Sequence, residues 1–367
     1  MISRSLAFRF LVGVLILCLV EGAMASAADK KKSSKQSKDS GKPTYIFFPP
    51  APSDPRVQFL TSYSTDADLK GGPGKFERFL VGKEPSKKTI LKPNGIAMRD
   101  GRIFVCDTSG RCLVIIDLNR KKMDIVIPER DGLLRSPISL ALDAEGNQYV
   151  ADSARGQVVI YDQQGKYLGA IGQRDEMRPV GLLIDQTHIF VSDFKNNCLR
   201  VYDKTSRKPA FEIPNERSGT NRLPAPTSLG VDTRGQIYVS QATLGQVQVF
   251  EKSGKFVRTV ARMGDRPGEL ARPKGVAVDR EGILYVVDAA SQVVQMFNAE
   301  GQVLMDFGDA KSGEGALDLP AGIAIDYDNV GLFQKYAAPG FAVEYVVLVT
   351  SQMGGRKVSV YGFGKKK

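Results

Sequence analysis

The sequence predicts an all-β fold, a six-bladed β-propeller closed by an N-terminal strand that completes the last blade. Three observations carry this. Six prolines, Pro93, Pro137, Pro179, Pro226, Pro273 and Pro320, recur at intervals of 42 to 47 residues, and each opens an apolar run. Further short runs rich in β-branched and aromatic residues follow each one, as in IFVCD, YVADS and LYVVD, then LVIID, VVIYD and LRVYD. Four such strands every ~45 residues make a propeller blade. Finally, the last unit lacks a fourth strand, while PRVQFLTSYS at residues 55–64 has the pattern of one. Joining the two chain ends in one sheet protects an edge and closes the ring.

In chain order, residues 1–25 read as an export signal. Arg4 and Arg9 precede a short apolar run, and Ala23-Met24-Ala25 supplies the small-x-small pattern of a cleavage site, with Ala27 as a rival. The apolar run is shorter than the ~20 residues that span a bilayer. Leu17 stands where a lipobox before Cys18 needs a small residue. The mature chain is therefore expected to be soluble, monomeric, and periplasmic or secreted. Residues 26–54 read as a basic disordered tail followed by a Pro-rich segment with Pro49, Pro50 and Pro52. Residues 55–364 form the propeller, and 365–367 a basic C-terminal tail.

The formal net charge of +11 lies mostly in those tails. Residues 28–42 hold six Lys against two Asp, and Lys365, Lys366 and Lys367 end the chain. The basic balance is therefore no sign of a nucleic-acid groove, and no aromatics interleave with bases as in single-strand platforms. The tail offers at most weak contact with an anionic membrane surface. With one His, four Cys and no Trp, the chain has no multi-histidine zinc site, no CxxCH haem attachment, no disulfide scaffold and no WD-type repeat.

Within the repeats, five first runs end at Asp: Asp143, Asp185, Asp232, Asp279 and Asp326. Gly146, Gly235 and Gly282 follow three of these, which is hairpin-turn chemistry. Second runs end at Asp107, Asp152, Asp193 and Asp288, on the opposite face. Two roles are open for this second series: a ring that binds a cation or basic partner, or hydrogen bonds to loop backbone N–H groups.

The Pro-x-Gly starts (Pro93/Gly95, Pro179/Gly181, Pro273/Gly275, Pro320/Gly322) and the second-strand Asp series resemble the NHL-repeat family of six-bladed propellers, with ARPKGVAVDREGILYVVDA at residues 271–289 the clearest repeat. The layout is similar to exported bacterial propellers of that type. Asn-His-Leu itself is absent, and Gln241 and Ser351 replace the second-strand Asp in units four and six. The family includes amidating lyases with a multi-histidine zinc site, which His188 alone cannot supply. Related propeller hydrolases hold calcium in the channel with carboxylates and Asn. Here the six first strands contain no Asp or Glu before their ends, and Asn94 is the only amide near a strand start. No catalytic residue, metal ligand or cofactor is assigned.

Function is expected where blades differ. Arg111, Arg155 and Lys195 follow the second strands of the first three units, and Arg178, Arg222 and Arg272 lie between blades. With Asp107, Asp152, Asp193 and Asp288 they mark one face as the binding surface, suited to an acidic protein or other polyanionic envelope partner. The insertion at residues 326–345, with Leu332, Phe333, Tyr336 and Phe341, is a second candidate surface. The expected function is a non-enzymatic exported binding scaffold. The alternatives are a metal-dependent hydrolase or lyase of the propeller type, or an accessory subunit of an envelope redox complex. Cys106 and Cys112 flank one hairpin loop, and a disulfide between them is left to geometry.

Overall fold

The computed structural model describes residues 44–70, 88–214 and 223–366. The chain divides into residues 1–43 and 44–367, and only the second unit is described here. The segment read as an export signal, the Lys-rich tail and Arg222 lie outside the described residues.

Six antiparallel sheets form the blades. Blade 1 runs Pro93–Arg99, Arg102–Asp107, Cys112–Asp117 and Lys122–Val126 from the channel outward. Blades 2 to 5 repeat this order from Pro137, Pro179, Pro226 and Pro273. Blade 6 begins at Pro320–Asp326 and continues through Phe341–Ser351 and Val358–Lys366. Val57–Tyr63 then pairs antiparallel with Val358–Lys366, from Val57 opposite Phe363 to Tyr63 opposite Val358. This is the N-terminal closure the sequence predicts.

Two boundaries differ from the sequence reading. Ile46–Phe48 adds a fifth strand to blade 6, so the sheet begins inside the Pro-rich segment rather than after it. Phe48 packs against Phe307 and Tyr361, which gives these residues an apolar seat. At the other end, Lys365 and Lys366 belong to the last strand instead of a free tail. Lys365 pairs with Glu344 at 3.0 Å, and Lys366 lies over the Phe47 ring.

The core lies between blades. Second strands such as Gln148–Asp152 and Leu284–Asp288 are buried along their whole length, because neighbouring blades cover both faces. That is why they read as unbroken apolar runs. Outer strands such as Phe256–Val260 alternate, with one face toward solvent. Between blades 1 and 2, Phe104, Leu140, Val150 and Tyr161 form one such cluster.

Every first strand carries a register shift just after its proline, as between Pro93 and Ile96 or Pro273 and Val276. Such a bulge bends the strand and re-aims side chains. The glycine two residues after four of the prolines has a separate cause. A Cβ on Gly95 would sit 2.6 Å from Ser139 Cα of the next blade, and one on Gly322 would sit 2.2 Å from the Asn94 carbonyl. Adjacent first strands touch backbone to backbone there, which closes the ring around a narrow channel.

The insertion at residues 326–345 folds into two short 3-10 turns, Val330–Leu332 and Gln334–Tyr336. Phe333 is 0% exposed and packs with Leu332 and Tyr336 against the cluster between blades 6 and 1. Its apolar side chains serve their own blade.

Candidate binding face and channel mouth

The second-strand aspartates hold the loops of one face. Asp107 accepts the backbone N–H groups of Leu91 at 2.6 Å, Lys92 at 3.1 Å and Gly110 at 2.9 Å. Asp152 does the same for Arg135, Ser136 and Arg155. Asp288 accepts from Ala271, Arg272, Ala290 and Ser291. Asp193 accepts from Arg178, Lys195 and Asn196, and from the Arg200 guanidinium. All four are buried. Of the two roles open from sequence, this geometry is loop stapling. The carboxylates face backbone donors, joined at Asp193 by the Arg200 guanidinium and the Asn196 amide.

Arg155 also needs correction as a rim residue. It is 8% exposed, and its guanidinium donates to Gln157 and to the carbonyls of Asp131 and Leu133. It braces the loop between blades 1 and 2 from within. Arg111, Arg178, Lys195 and Arg272 are exposed, as placed from sequence. Lys195 Nζ donates to the Asp175 carbonyl at 2.6 Å, and Arg178 lies over the Phe194 ring at 5.1 Å.

The stapled loops present two kinds of side chain. Cations at the start of first strands (Lys92, Arg135, Arg178, Arg272) are exposed and, among the described residues, form no ion pair. Leu91, Leu133, Leu244, Met263 and Met353, between 42% and 56% exposed, stand on the same face. Sequence reasoning missed this apolar set, because Leu91 and Leu133 each adjoin a buried apolar residue, Ile90 and Leu134, and Leu244, Met263 and Met353 are single residues in polar loops.

Where the first strands begin, a cavity of about 200 Å³ opens at the channel mouth. Asn94, Ser139, Arg178, Phe194, Ser228 and Lys274 line it, with backbone from the glycine positions. No Asp, Glu, His or Cys lines it. Lys274 donates to Gln352 Oε1 at 3.2 Å. Burial, with Arg272 and Lys92 alongside, brings its ammonium down to about 8. Its sequence signal was a lone Lys directly after the repeat proline, where other units carry Asn94, Ile138, Val180, Thr227 and Ala321.

Remaining reactive groups lie elsewhere. His188 sits at the far end of its strand from Asp193, with Nδ1 2.8 Å from Thr187 Oγ1 and its ring edge-on to Phe211. Cys106, Cys112 and Cys198 are buried, and Cys106 and Cys112 are free thiols. Asp107 lies directly opposite Cys112, so Cys106 projects from the other side of the sheet and the two thiols do not bridge. Burial pushes the Cys106 thiol up and the Cys112 thiol to about 12, which keeps both unreactive. Among the described residues no group of three or more His, Cys, Asp or Glu is placed to hold a metal ion, and no helix is long and apolar enough to cross a membrane.

Comparison with known proteins agrees on architecture. The sequence model of a family described as "6-bladed beta-propeller" matches residues 229–307. No curated protein sequence matches the chain. Among solved structures, virginiamycin B lyase from Staphylococcus aureus is 12% identical, with TM-score 0.50, over 75% of this chain and 85% of that one. A streptogramin B lyase is 10% identical, with TM-score 0.51, over 74% and 83%. A protein of unknown function from Bacteroides thetaiotaomicron is 16% identical, with TM-score 0.55, over 76% and 70%. At these identities the likeness shows the fold: this chain is a six-bladed β-propeller.

Proposed function

We propose that this propeller, of the NHL-repeat type, is an exported binding module whose stapled loop face docks an acidic protein partner. The signal-like pattern at residues 1–25 supports export, and the Pro-x-Gly repeat starts support the repeat type. One observation carries the third: cations with no ion pair among the described residues and exposed apolar side chains share a single face, as where Lys92 follows Leu91. A cationic surface alone suits any polyanion. Apolar residues among the cations favour a protein, whose interface cores are apolar and aromatic with Arg enriched.

A lyase reading draws on the structural likeness to two lyases. Acid–base chemistry at the channel mouth would need a titrating group among the residues that line it, and Lys274 is the one that the described lining supplies. The loop-face reading uses more of what this chain presents.

The test is affinity capture from the native envelope with the wild-type chain and with R111A/R178A/R272A. Loss of a saturable, salt-sensitive partner from the triple variant is the expected result. Full retention by that variant overturns the loop-face assignment.

A further inference from the structure

We infer that the channel mouth is a site for one oxyanion, a carboxylate or phosphate group borne by a small ligand, seated on Lys274 and Arg178 with Arg272 adding charge beside Lys274. This rests on the loop face being the binding face, and it adds a ligand class to that reading. Size sets the first limit. The cavity of about 200 Å³ falls below the roughly 300–1,000 Å³ of pockets that enclose drug-sized ligands, so it takes a small molecule or one end of a larger one.

Charge sets the second limit. Lys274 and Arg178 line the cavity, Arg272 and Lys92 act on Lys274 from the neighbouring loops, and the described lining holds no carboxylate. None of these four cations has an ion-pair partner among the described residues. The Lys274 ammonium is partly buried and hydrogen-bonded to the neutral Gln352, and no described residue supplies its counter-charge. Ser139 and Ser228 add hydroxyls to the same wall.

The repeat itself does not demand this lysine. The corresponding positions hold Asn94, Ile138, Val180, Thr227 and Ala321, and every blade makes the same bulge around them. Lys274 is therefore not fixed by the repeat, and it stands at a cavity that the first strands line together.

The test is isothermal titration of the full chain with inorganic phosphate in one arm and citrate in the other, at pH 7 and pH 9. Saturable 1:1 binding of at least one probe is expected. It should weaken about tenfold or more in K274Q and weaken in R272A. Affinity should fall between the two pH values as Lys274 loses its proton. R272A alters an exposed side chain, so it tests the site even where K274Q fails to fold. Absence of saturable binding for both probes, or wild-type affinity in K274Q and R272A, overturns the inference. Partner capture is scored separately on the envelope extract, so a failed titration with intact capture leaves the loop-face reading standing.

Discussion

Asp288 Oδ2 accepts the backbone N–H of Ala271 at 2.7 Å, two residues before the proline that opens the same blade. Asp107 and Asp152 reach the matching N–H groups of Leu91 and Arg135. Blade 4 breaks the pattern, and the reason is chemical. Pro224 occupies that position and has no N–H, while the Ala225 N–H is taken by Asn197 of blade 3 at 2.8 Å. An Asp there would lack two of its donors, and the chain has Gln241, whose Oε1 accepts from Gln246.

The first prediction follows from that exchange. Q241D buries a carboxylate with too few donors and should cost about 1–3 kcal/mol. P224A restores one N–H, so P224A/Q241D should recover about 1 kcal/mol relative to additivity. Denaturant unfolding of the four proteins measures the coupling. Strict additivity would show that the missing N–H is not the cause.

Ring closure is tested by truncation. Removing residues up to 63 takes away Val57–Tyr63 and leaves Val358–Lys366 as a bare edge. A large fall in melting temperature, or aggregation, is expected. Removing only residues 26–42 should leave melting unchanged. Equal melting of both truncated proteins contradicts closure through this strand.

The insertion in blade 6 is predicted to matter for stability and not for docking. Phe333 has no solvent exposure, so F333A should cost about 3–5 kcal/mol. At temperatures where the variant stays folded, partner capture should match wild type. Selective loss of capture would move the binding surface to the insertion.

Asp185 and Lys252 join neighbouring blades on the opposite face, 2.7 Å apart. Burial opposes the Asp185 charge, but the Lys252 ammonium and the backbone N–H groups of Thr187 and His188 outweigh it and hold the carboxyl at about 2. A depressed carboxyl stabilises the fold above its unfolded value near ~3.9, and that contribution is lost as pH falls toward 2. K252M should raise the Asp185 titration midpoint and soften the loss of stability between about pH 4 and 2. Carbon-detected NMR titration reads the midpoint, and an unchanged value would sink the assignment.

The sequence by itself determined the repeat, the blade count and the closing strand. These depend on local rules: prolines that open each first strand, Asp and Gly that set the hairpins, and apolar runs long enough to be covered on both sides. Gly146, Gly235 and Gly282 do adopt positive φ in those hairpins. Tertiary structure alone decided which charged side chains face outward. Arg155 and Arg111 look alike in sequence, since each follows a second strand. Arg155 turns inward to the carbonyls of Asp131 and Leu133, while Arg111 stays in solvent. Their difference lies in carbonyls more than 20 residues away in the chain. Lys274 was hidden for the same reason. A single lysine after a repeat proline carries no local signal, and its character comes from Arg272, Lys92 and Gln352, which only the closed ring brings to one mouth. Strand pattern is written by neighbours in sequence, whereas burial and charge at a site are set by neighbours in space.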